Sequence, residues 1–150
     1  MKAAKYFSLV CLLFFCFTLM DSCKKDNNSS PSLTAKINGK SWSALSYFAY
    51  KDNSGQINIV AEAADSTVLS VFFTYTGKKT YQQTATLSEC HCYYSETTVP
   101  QPYESITGTL TVEDMGGSKI SCSFNFTLSR LDQTIEVSDG HFTDLSISQR

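Results

Sequence analysis

The stretch SKISCSFNFTL, residues 118–128, alternates apolar and polar side chains without a break from its third residue onward. The apolar members fall on every second position: Ile120, Cys122, Phe124, Phe126 and Leu128. Serine, asparagine and threonine occupy the positions between them. Because successive side chains of a β-strand point to opposite faces of the sheet, this pattern predicts a strand with one buried and one wet face.

The same period of two recurs in three other stretches: QINIVAEA (56–63), TVLSVFFTY (67–75) and ITGTLTVE (106–113). In the last of these the predicted inward set is Ile106, Gly108, Leu110 and Val112. Half-buried strands of this kind are typical of antiparallel sheets, and no window carries the apolar period of a helix. The sequence therefore predicts an all-β domain. A glycine on an inward face, Gly108, predicts a sharp bend or the close approach of another side chain.

Turn signals separate the runs at hairpin distance. NGK (38–40) is an Asn-Gly hairpin signal, and KDNSG (51–55), DMGGS (114–118) and RLDQ (130–133) separate longer runs. SDG (138–140) breaks the alternation of the last run: apolar residues fall on odd positions before it (Ile135, Val137) and on an even position after it (Phe142). We interpret the segment as a β-bulge within one continuing strand. The result is an antiparallel meander of about seven or eight strands over residues 33–150; a sandwich and a small, partly open barrel both fit.

The N-terminal segment has the character of an export signal. Lys2 and Lys5 precede an apolar run over residues 7–20. As a helix this run covers about 21 Å, which is short of the about 30 Å hydrocarbon core of a bilayer. The pattern favours a secretory signal peptide over residues 1–22 rather than a permanent span.

The residues Met20, Asp21, Ser22 and Cys23 resemble the lipobox of bacterial lipoproteins, in which a small residue precedes a cysteine that receives a diacylglycerol. The resemblance implies cleavage between Ser22 and Cys23 and lipidation of Cys23. Residues 23–32, rich in serine and asparagine, then form a flexible tether. The location expected from this is the bacterial outer membrane, with a lipid-anchored domain that faces the periplasm or the cell surface.

Charge excludes one class of partner. The chain has a net charge of −2 and contains no cluster of lysine and arginine interleaved with aromatic residues. Nucleic-acid binding needs such a basic footprint, so we expect no nucleic-acid partner.

Both ends of the domain carry recognisable sequence. AKINGKSW (35–42) opens it, and ITGTLTVED, ISCSFNFTL and IEVSDGHFTDLSI close it. This arrangement is similar to a family of small uncharacterised lipoproteins of Bacteroidota, which begin with an Asn-Gly-Lys-x-Trp hairpin and end with a Gly-x-Phe strand. The resemblance covers about residues 33–147. It implies an all-β fold and an envelope location, and it implies no activity, cofactor or catalytic residue.

The residues themselves also carry no catalytic motif. The spacings of serine hydrolases, zinc proteases, nucleotide-binding loops and calcium loops are all missing from the sequence. In CysHisCys, on a strand, Cys90 and Cys92 face one way and His91 the other, so the three converge on a metal only if the backbone turns. We therefore expect no enzyme, no cofactor and no metal site.

Residues 80–105 are the segment where a specific contact is expected, because they hold four tyrosines: Tyr81, Tyr93, Tyr94 and Tyr103. Tyrosine offers a large amphipathic face at low entropy cost. One hypothesis is a binding or scaffold module that presents this Tyr-rich loop to a glycan, a peptide or an envelope protein. The alternative is a lipocalin-like barrel that carries a small apolar ligand, which an interior filled by Phe73, Phe124, Phe126 and Trp42 would exclude.

Two covalent features are also predicted. Cys122 lies on an inward face, and Cys90 and Cys92 precede the Tyr-rich stretch, so we predict one disulfide from Cys122 to Cys90 or Cys92. Closing this loop is worth about 3 to 4 kcal/mol in the chain-entropy model. Asp65-Ser66-Thr67 resembles the acceptor sequence for O-glycosylation in Bacteroidota, which makes Ser66 a candidate glycosylation site in a turn.

The lipobox is tested by replacing Cys23 with serine. We expect Cys23→Ser to abolish lipidation and to move the protein from the membrane fraction to the soluble fraction of lysed cells. Retention of full processing and membrane association by the variant would show that the anchor lies elsewhere.

Overall fold

A computed structural model describes residues 32–150, and it contains strands and turns without a helix in that range. The all-β prediction is confirmed. The strands in chain order are β1 Ser32–Ile37, β2 Lys40–Lys51, β3 Gln56–Ala63, β4 Val68–Thr74, β5 Thr80–Gln83, β6 Cys90–Ser95, β7 Tyr103–Gly116, β8 Lys119–Arg130, β9 Gln133–Ser146 and β10 Ser148–Gln149.

Eight of these strands close into a barrel. Neighbouring strands follow the order β1, β9, β8, β7, β6, β4, β3, β2, and β1 also pairs with β2, which closes the ring. Every pairing around the ring is antiparallel. The two short strands lie outside it: β5 pairs with β7, and β10 runs parallel to β2. Of the two architectures that the sequence allowed, the barrel is the one formed.

Two predicted turn features have the expected geometry. Asn38 and Gly39 both have left-handed φ values, 48° and 77°, and join β1 to β2 in a two-residue hairpin. The SDG segment is a bulge within β9: pairing with β8 shifts between Phe124 and Phe126, and Asp139 has a φ of 48°. The strand continues past the bulge, so the prediction of a bulge instead of a reversal is confirmed.

The interior of the barrel is filled by large side chains. Among the fully buried ones, each less than 2 % exposed, are Phe73, Tyr81, Phe124 and Phe142. Phe126 is 3 % exposed and Trp42 is 7 % exposed. Small eight-stranded barrels have an interior just wide enough for side chains, and here aromatic rings take that space.

Two glycines make room for two of these rings. Gly108 pairs directly with Phe126, and Gly140 pairs directly with Phe124. A Cβ atom at Gly108 would lie 2.8 Å from the Phe126 Cγ atom, and one at Gly140 would lie within 3.0 Å of the Phe124 ring. Such separations are far shorter than van der Waals contact, so each ring lies directly against the backbone of a glycine. The predicted close approach at Gly108 is confirmed.

The inward set predicted for ITGTLTVE is wrong at one position. Ile106 is 46 % exposed, because the pairing of β7 with β8 shifts between Ser105 and Thr107 and turns Ile106 outward. Ser105 takes the inward place at 9 % exposure, and its hydroxyl oxygen accepts a hydrogen bond from the Cys92 backbone N–H at 3.0 Å. A bulge of this kind leaves no trace in an alternating sequence.

Four connections gather at one end of the barrel, which we call the mouth. They are the β1–β2 hairpin at residues 38–39, the β3–β4 turn at 64–67, the β6–β7 loop at 96–102 and the β8–β9 turn at 131–132. Strand β1 runs toward the mouth, so the chain enters the barrel from the opposite side.

The described residues include no helix long and apolar enough to cross a membrane. The predicted signal peptide, the cleavage site at Ser22 and the lipidation site at Cys23 lie outside the described residues, as does all of the predicted tether except Ser32.

The glycine–ring contacts predict a large, position-specific loss of stability. We expect Gly140→Ala to lower the free energy of unfolding by roughly 1–3 kcal/mol or more, because the added methyl group forces the Phe124 ring out of its place. Gly116→Ala is the matched control, since a Cβ at Gly116 meets nothing within 4 Å. Urea unfolding measures both. Equal stability of the two variants would contradict the packing described, whereas Phe124→Leu should restore part of the loss caused by Gly140→Ala.

Candidate functional site

The mouth of the barrel contains an open hollow of about 300 Å³. Its walls come from four strands and three of the connections between strands: Ile37, Asn38, Lys40, Ser41, Trp42, Asp65, Tyr94, Glu96 and Ile135. Apolar and aromatic groups are therefore combined with two carboxylates, an ammonium group, an amide and hydroxyls. A concave site of this composition and size is the usual form of a small-molecule site, at the low end of the size range.

A chain of hydrogen bonds fixes one wall of the hollow. The Trp42 indole N–H donates to the Thr67 hydroxyl at 2.8 Å, and that hydroxyl donates to Asp65 Oδ1 at 2.7 Å. The Thr67 backbone N–H donates to the same carboxylate oxygen at 3.1 Å. Thr67 is 9 % exposed, so the Trp42–Thr67 bond is shielded from water, and the chain holds the indole next to the exposed Asp65 carboxylate.

Asp65 and Tyr94, two ionisable side chains that line the hollow, keep opposite protonation states at neutral pH. Hydrogen bonds from the Thr67 side chain and backbone lower the pKa of Asp65, so its carboxyl group remains an anion. Burial raises the pKa of Tyr94, and the nearby carboxylates of Glu96 and Asp65 raise it further, against an opposing contribution from Thr67. Tyr94 therefore stays a neutral phenol, and its hydroxyl group can donate a hydrogen bond.

Arg130, which does not itself line the hollow, holds the Glu96 carboxylate in place. Its guanidinium group donates to the Tyr103 hydroxyl at 2.8 Å and stacks over the Tyr103 ring at 3.9 Å from the centroid. It also contacts Glu96 Oε2 at 3.4 Å and the Gln101 carbonyl oxygen at 3.4 Å. The Arg130 side chain is 11 % exposed. These contacts fasten the β6–β7 loop to the end of β8 and fix the Glu96 carboxylate at the rim.

The Tyr-rich loop predicted from the sequence does not exist. Tyr81, Tyr94 and Tyr103 lie on β5, β6 and β7, and their side chains are 1 %, 7 % and 5 % exposed. Tyr93 points to the outer wall, where its ring packs on Phe72 with centroids 5.6 Å apart. Residues 90–95 form strand β6 instead of part of a loop. Of the four tyrosines, Tyr94 alone lines the mouth hollow.

The predicted disulfide is absent from the structure. Cys90, Cys92 and Cys122 are free thiols and are 0 % exposed. Cys90 and Cys92 pair across β4 with Phe73 and Val71, whereas Cys122 pairs across β7 with Val112, so each thiol is packed among apolar neighbours of its own sheet region. Burial raises the pKa of Cys90 and of Cys122 to about 12, and it raises the pKa of Cys92 as well.

A serine–histidine contact lies at the other end of the barrel. Ser88 Oγ and His91 Nε2 are 2.6 Å apart, but the Ser88 hydroxyl donates to Gln83 Oε1 at 2.9 Å. A serine whose proton is directed to an amide is not activated by the histidine, so the pair lacks the geometry of a nucleophile with its base. Within residues 32–150, no group of three histidine, cysteine, aspartate or glutamate side chains is placed to hold a metal ion.

Ser66 lies in the β3–β4 turn at the rim of the mouth. It is exposed and has a left-handed φ of 61°, and its carbonyl oxygen accepts a hydrogen bond from the Thr97 hydroxyl at 3.2 Å. The predicted turn is confirmed. Glycosylation at Ser66 remains a prediction.

Comparison with known families identifies the domain type. A family model described as Domain of unknown function (DUF6252) matches residues 29–146. The chain belongs to this family. The DUF6252 match spans all of the barrel strands from β1 to β9, and the family has no assigned function. No curated protein and no solved structure matches the chain.

The buried thiols predict low reactivity and a loss of stability in alkali. Their pKa values are raised on folding from the ordinary 9.0, so their contribution to stability is intact below pH 9 and is lost as the pH rises from 9 toward 12. We expect iodoacetamide to leave Cys90, Cys92 and Cys122 unlabelled in the folded protein and to label all three after unfolding without reductant, as mapped by peptide mass.

A peptide pair joined through Cys122 would restore the disulfide and contradict the free-thiol structure. As a control for other groups that titrate in alkali, the stability of a Cys90→Ala, Cys122→Ala variant should fall less between pH 9 and 11 than that of the parent protein.

Proposed function

We propose that this DUF6252 protein is a lipid-anchored module of the bacterial cell envelope that binds a small polar ligand in the mouth of its barrel. The observation that carries the proposal is the mouth hollow, in which polar groups from three connections and from the start of β2 surround an apolar floor, and buried or part-buried hydrogen bonds hold the rim in place. Preorganised polar groups around an apolar floor favour binding, because little ordering entropy is lost when the ligand arrives.

The path of the chain supports this arrangement. Strand β1 runs toward the mouth and ends at its rim, so a tether from Cys23 would reach the barrel from the opposite side. A lipid anchor at Cys23 would then hold the domain to the outer membrane with the mouth turned away from the anchor. The ligand site would face the periplasm or the cell surface, depending on the leaflet that carries the anchor.

Binding suits the mouth better than catalysis does. Hydrogen bonds from Thr67 lower the pKa of Asp65 and hold it as an anion, and Glu96 is paired with Arg130, so neither carboxylate is arranged as a general acid. The lining also lacks histidine, cysteine and any serine placed beside a base. We therefore propose a function without a chemical step.

A lipocalin-like function, with an apolar ligand carried inside the barrel, has weaker support. Phe73, Phe124, Phe126 and Trp42 are all in the buried core, where such a ligand would have to lie. These are the residues whose inward placement was expected to exclude a carrier barrel.

The proposal is tested with a ligand panel and a charge-matched pair of variants. Trp42 is the single tryptophan and lies in the hollow, so its emission reports occupancy. The panel consists of saccharides, amino acids with short peptides, and simple amines, added to the protein purified from envelopes. We expect one class to shift the Trp42 emission in a saturable manner.

The variant Lys40→Met, Glu96→Gln removes one cation and one anion from the rim and should weaken binding at least about tenfold, since a hydrogen bond to a charged group is worth about 1.5–3 kcal/mol. The control Lys119→Met, Glu62→Gln removes the same charges from exposed positions away from the hollow and should bind as the parent does. Absence of binding by every class, or equal binding by both variants, would refute the proposal.

A further inference from the structure

We infer that the ligand of the mouth is an uncharged saccharide unit, an inference that rests on the proposed function. The choice of ligand depends on which polar atoms of the rim already make hydrogen bonds or ion pairs within the protein and which are left to bind a ligand.

The rim offers free acceptors. Asp65 receives both of the hydrogen bonds from Thr67 on Oδ1, and Glu96 contacts Arg130 through Oε2. Within residues 32–150, no other residue makes a hydrogen bond or an ion pair with Asp65 Oδ2 or Glu96 Oε1. Each carboxylate at the hollow therefore has one oxygen that can accept a hydrogen bond from a ligand, and a ligand hydroxyl group is a strong donor to such an anion.

The rim also offers free donors. Lys40 lines the hollow and makes no ion pair with the acidic residues among those that the structure describes. Asn38 accepts a bond from the Glu136 backbone N–H through Oδ1, which leaves its amide NH₂ group available. Lysine ammonium and asparagine amide groups donate to ligand oxygens.

This combination disfavours a ligand that carries a single charge. A monocation drawn to Asp65 or Glu96 would meet the ammonium group of Lys40, and a monoanion drawn to Lys40 would meet two carboxylates. A hydroxyl group both donates and accepts, so a ring with several hydroxyl groups can satisfy both kinds of rim group at once. The mixed signs thus disfavour an ion of a single sign; a zwitterion also meets both signs, and the floor of the hollow is what favours a hydroxyl-rich ring over it.

The floor of the hollow fits the same ligand. Ile37, Trp42, Tyr94 and Ile135 give it an apolar and aromatic surface, and Trp42 and Ile135 are each 7 % exposed, so they are firmly packed. A saccharide ring has hydroxyl groups around its edge and C–H groups on its faces, which makes it apolar on a face and polar on its edge. The volume of about 300 Å³ suits a unit of this size, and the open mouth lets a longer chain continue into solvent.

The experiment compares uncharged monosaccharides and oligosaccharides with amino acids, dipeptides and amines, all on protein purified from envelopes, with Trp42 emission and calorimetry as readouts. We expect saccharides to bind, and we expect the zwitterionic amino acids and dipeptides and the cationic amines to bind at least tenfold more weakly. Several-fold higher ionic strength should leave saccharide affinity unchanged, because an uncharged ligand has no long-range attraction to screen. Oligosaccharides that bind more tightly than monosaccharides would identify a glycan chain as the source; equal affinity would identify a free sugar.

Single variants assign the contacts. Glu96→Gln and Lys40→Met should each weaken saccharide binding about tenfold, and Glu62→Gln and Lys119→Met should leave it unchanged. Binding of amino acids or amines in preference to saccharides would overturn the saccharide inference while leaving a mouth-binding module in place. Absence of binding by every class would overturn both, and saccharide binding that is insensitive to Glu96→Gln and Lys40→Met would overturn the assignment of the site to the mouth.

Discussion

The contact of two phenylalanine rings with bare backbone is the constraint on which this barrel depends. Phe124 lies against Gly140 and Phe126 against Gly108, each pair directly opposed on neighbouring strands. A closed eight-stranded ring has a fixed and narrow interior, and at these two positions the ring of a phenylalanine takes the space that a side chain on the facing residue would occupy. With the rings in place, the interior is occupied by the core, and the open end of the barrel is where a ligand finds room.

The mouth acquires its order from residues that are far apart in sequence. Trp42 and Thr67 are brought together by the neighbouring positions of β2, β3 and β4, and Glu96 meets Arg130 because loop 96–102 lies beside the end of β8. Each contact joins a connection to a strand end that is distant in sequence. The same bonds that stabilise the rim also decide which oxygen of each carboxylate is left for a ligand, so stability and specificity share one set of groups.

The sequence predicted the features that depend on local pattern. Alternation in SKISCSFNFTL predicted β8 and its inward face, the parity shift at SDG predicted the bulge in β9, and Gly108 predicted a close approach. It could not predict the outward turn of Ile106, because a bulge is set by the partner strand. The prediction that the four tyrosines lie in a loop is wrong for a related reason. The alternating run that forms β6 is only six residues long, and β6 is held as a strand by its pairing with β4, which lies well before it in the sequence.

The site itself was beyond prediction because its members share no motif. Asp65 and Thr67 were noted only as neighbours of Ser66, and Arg130 only as part of a turn signal. Their roles come from pairing across the closed ring, and the decisive pairing, β1 with β2, involves only four residue pairs.

The most direct test of the central claim, that rings fill the interior and leave the mouth as the ligand site, is a crystal of the protein exposed to xenon under pressure. Xenon enters dry apolar cavities of modest size. A filled interior predicts no ordered xenon among Phe73, Phe124 and Phe142. An ordered xenon atom between these rings would reveal an internal cavity and would contradict the account.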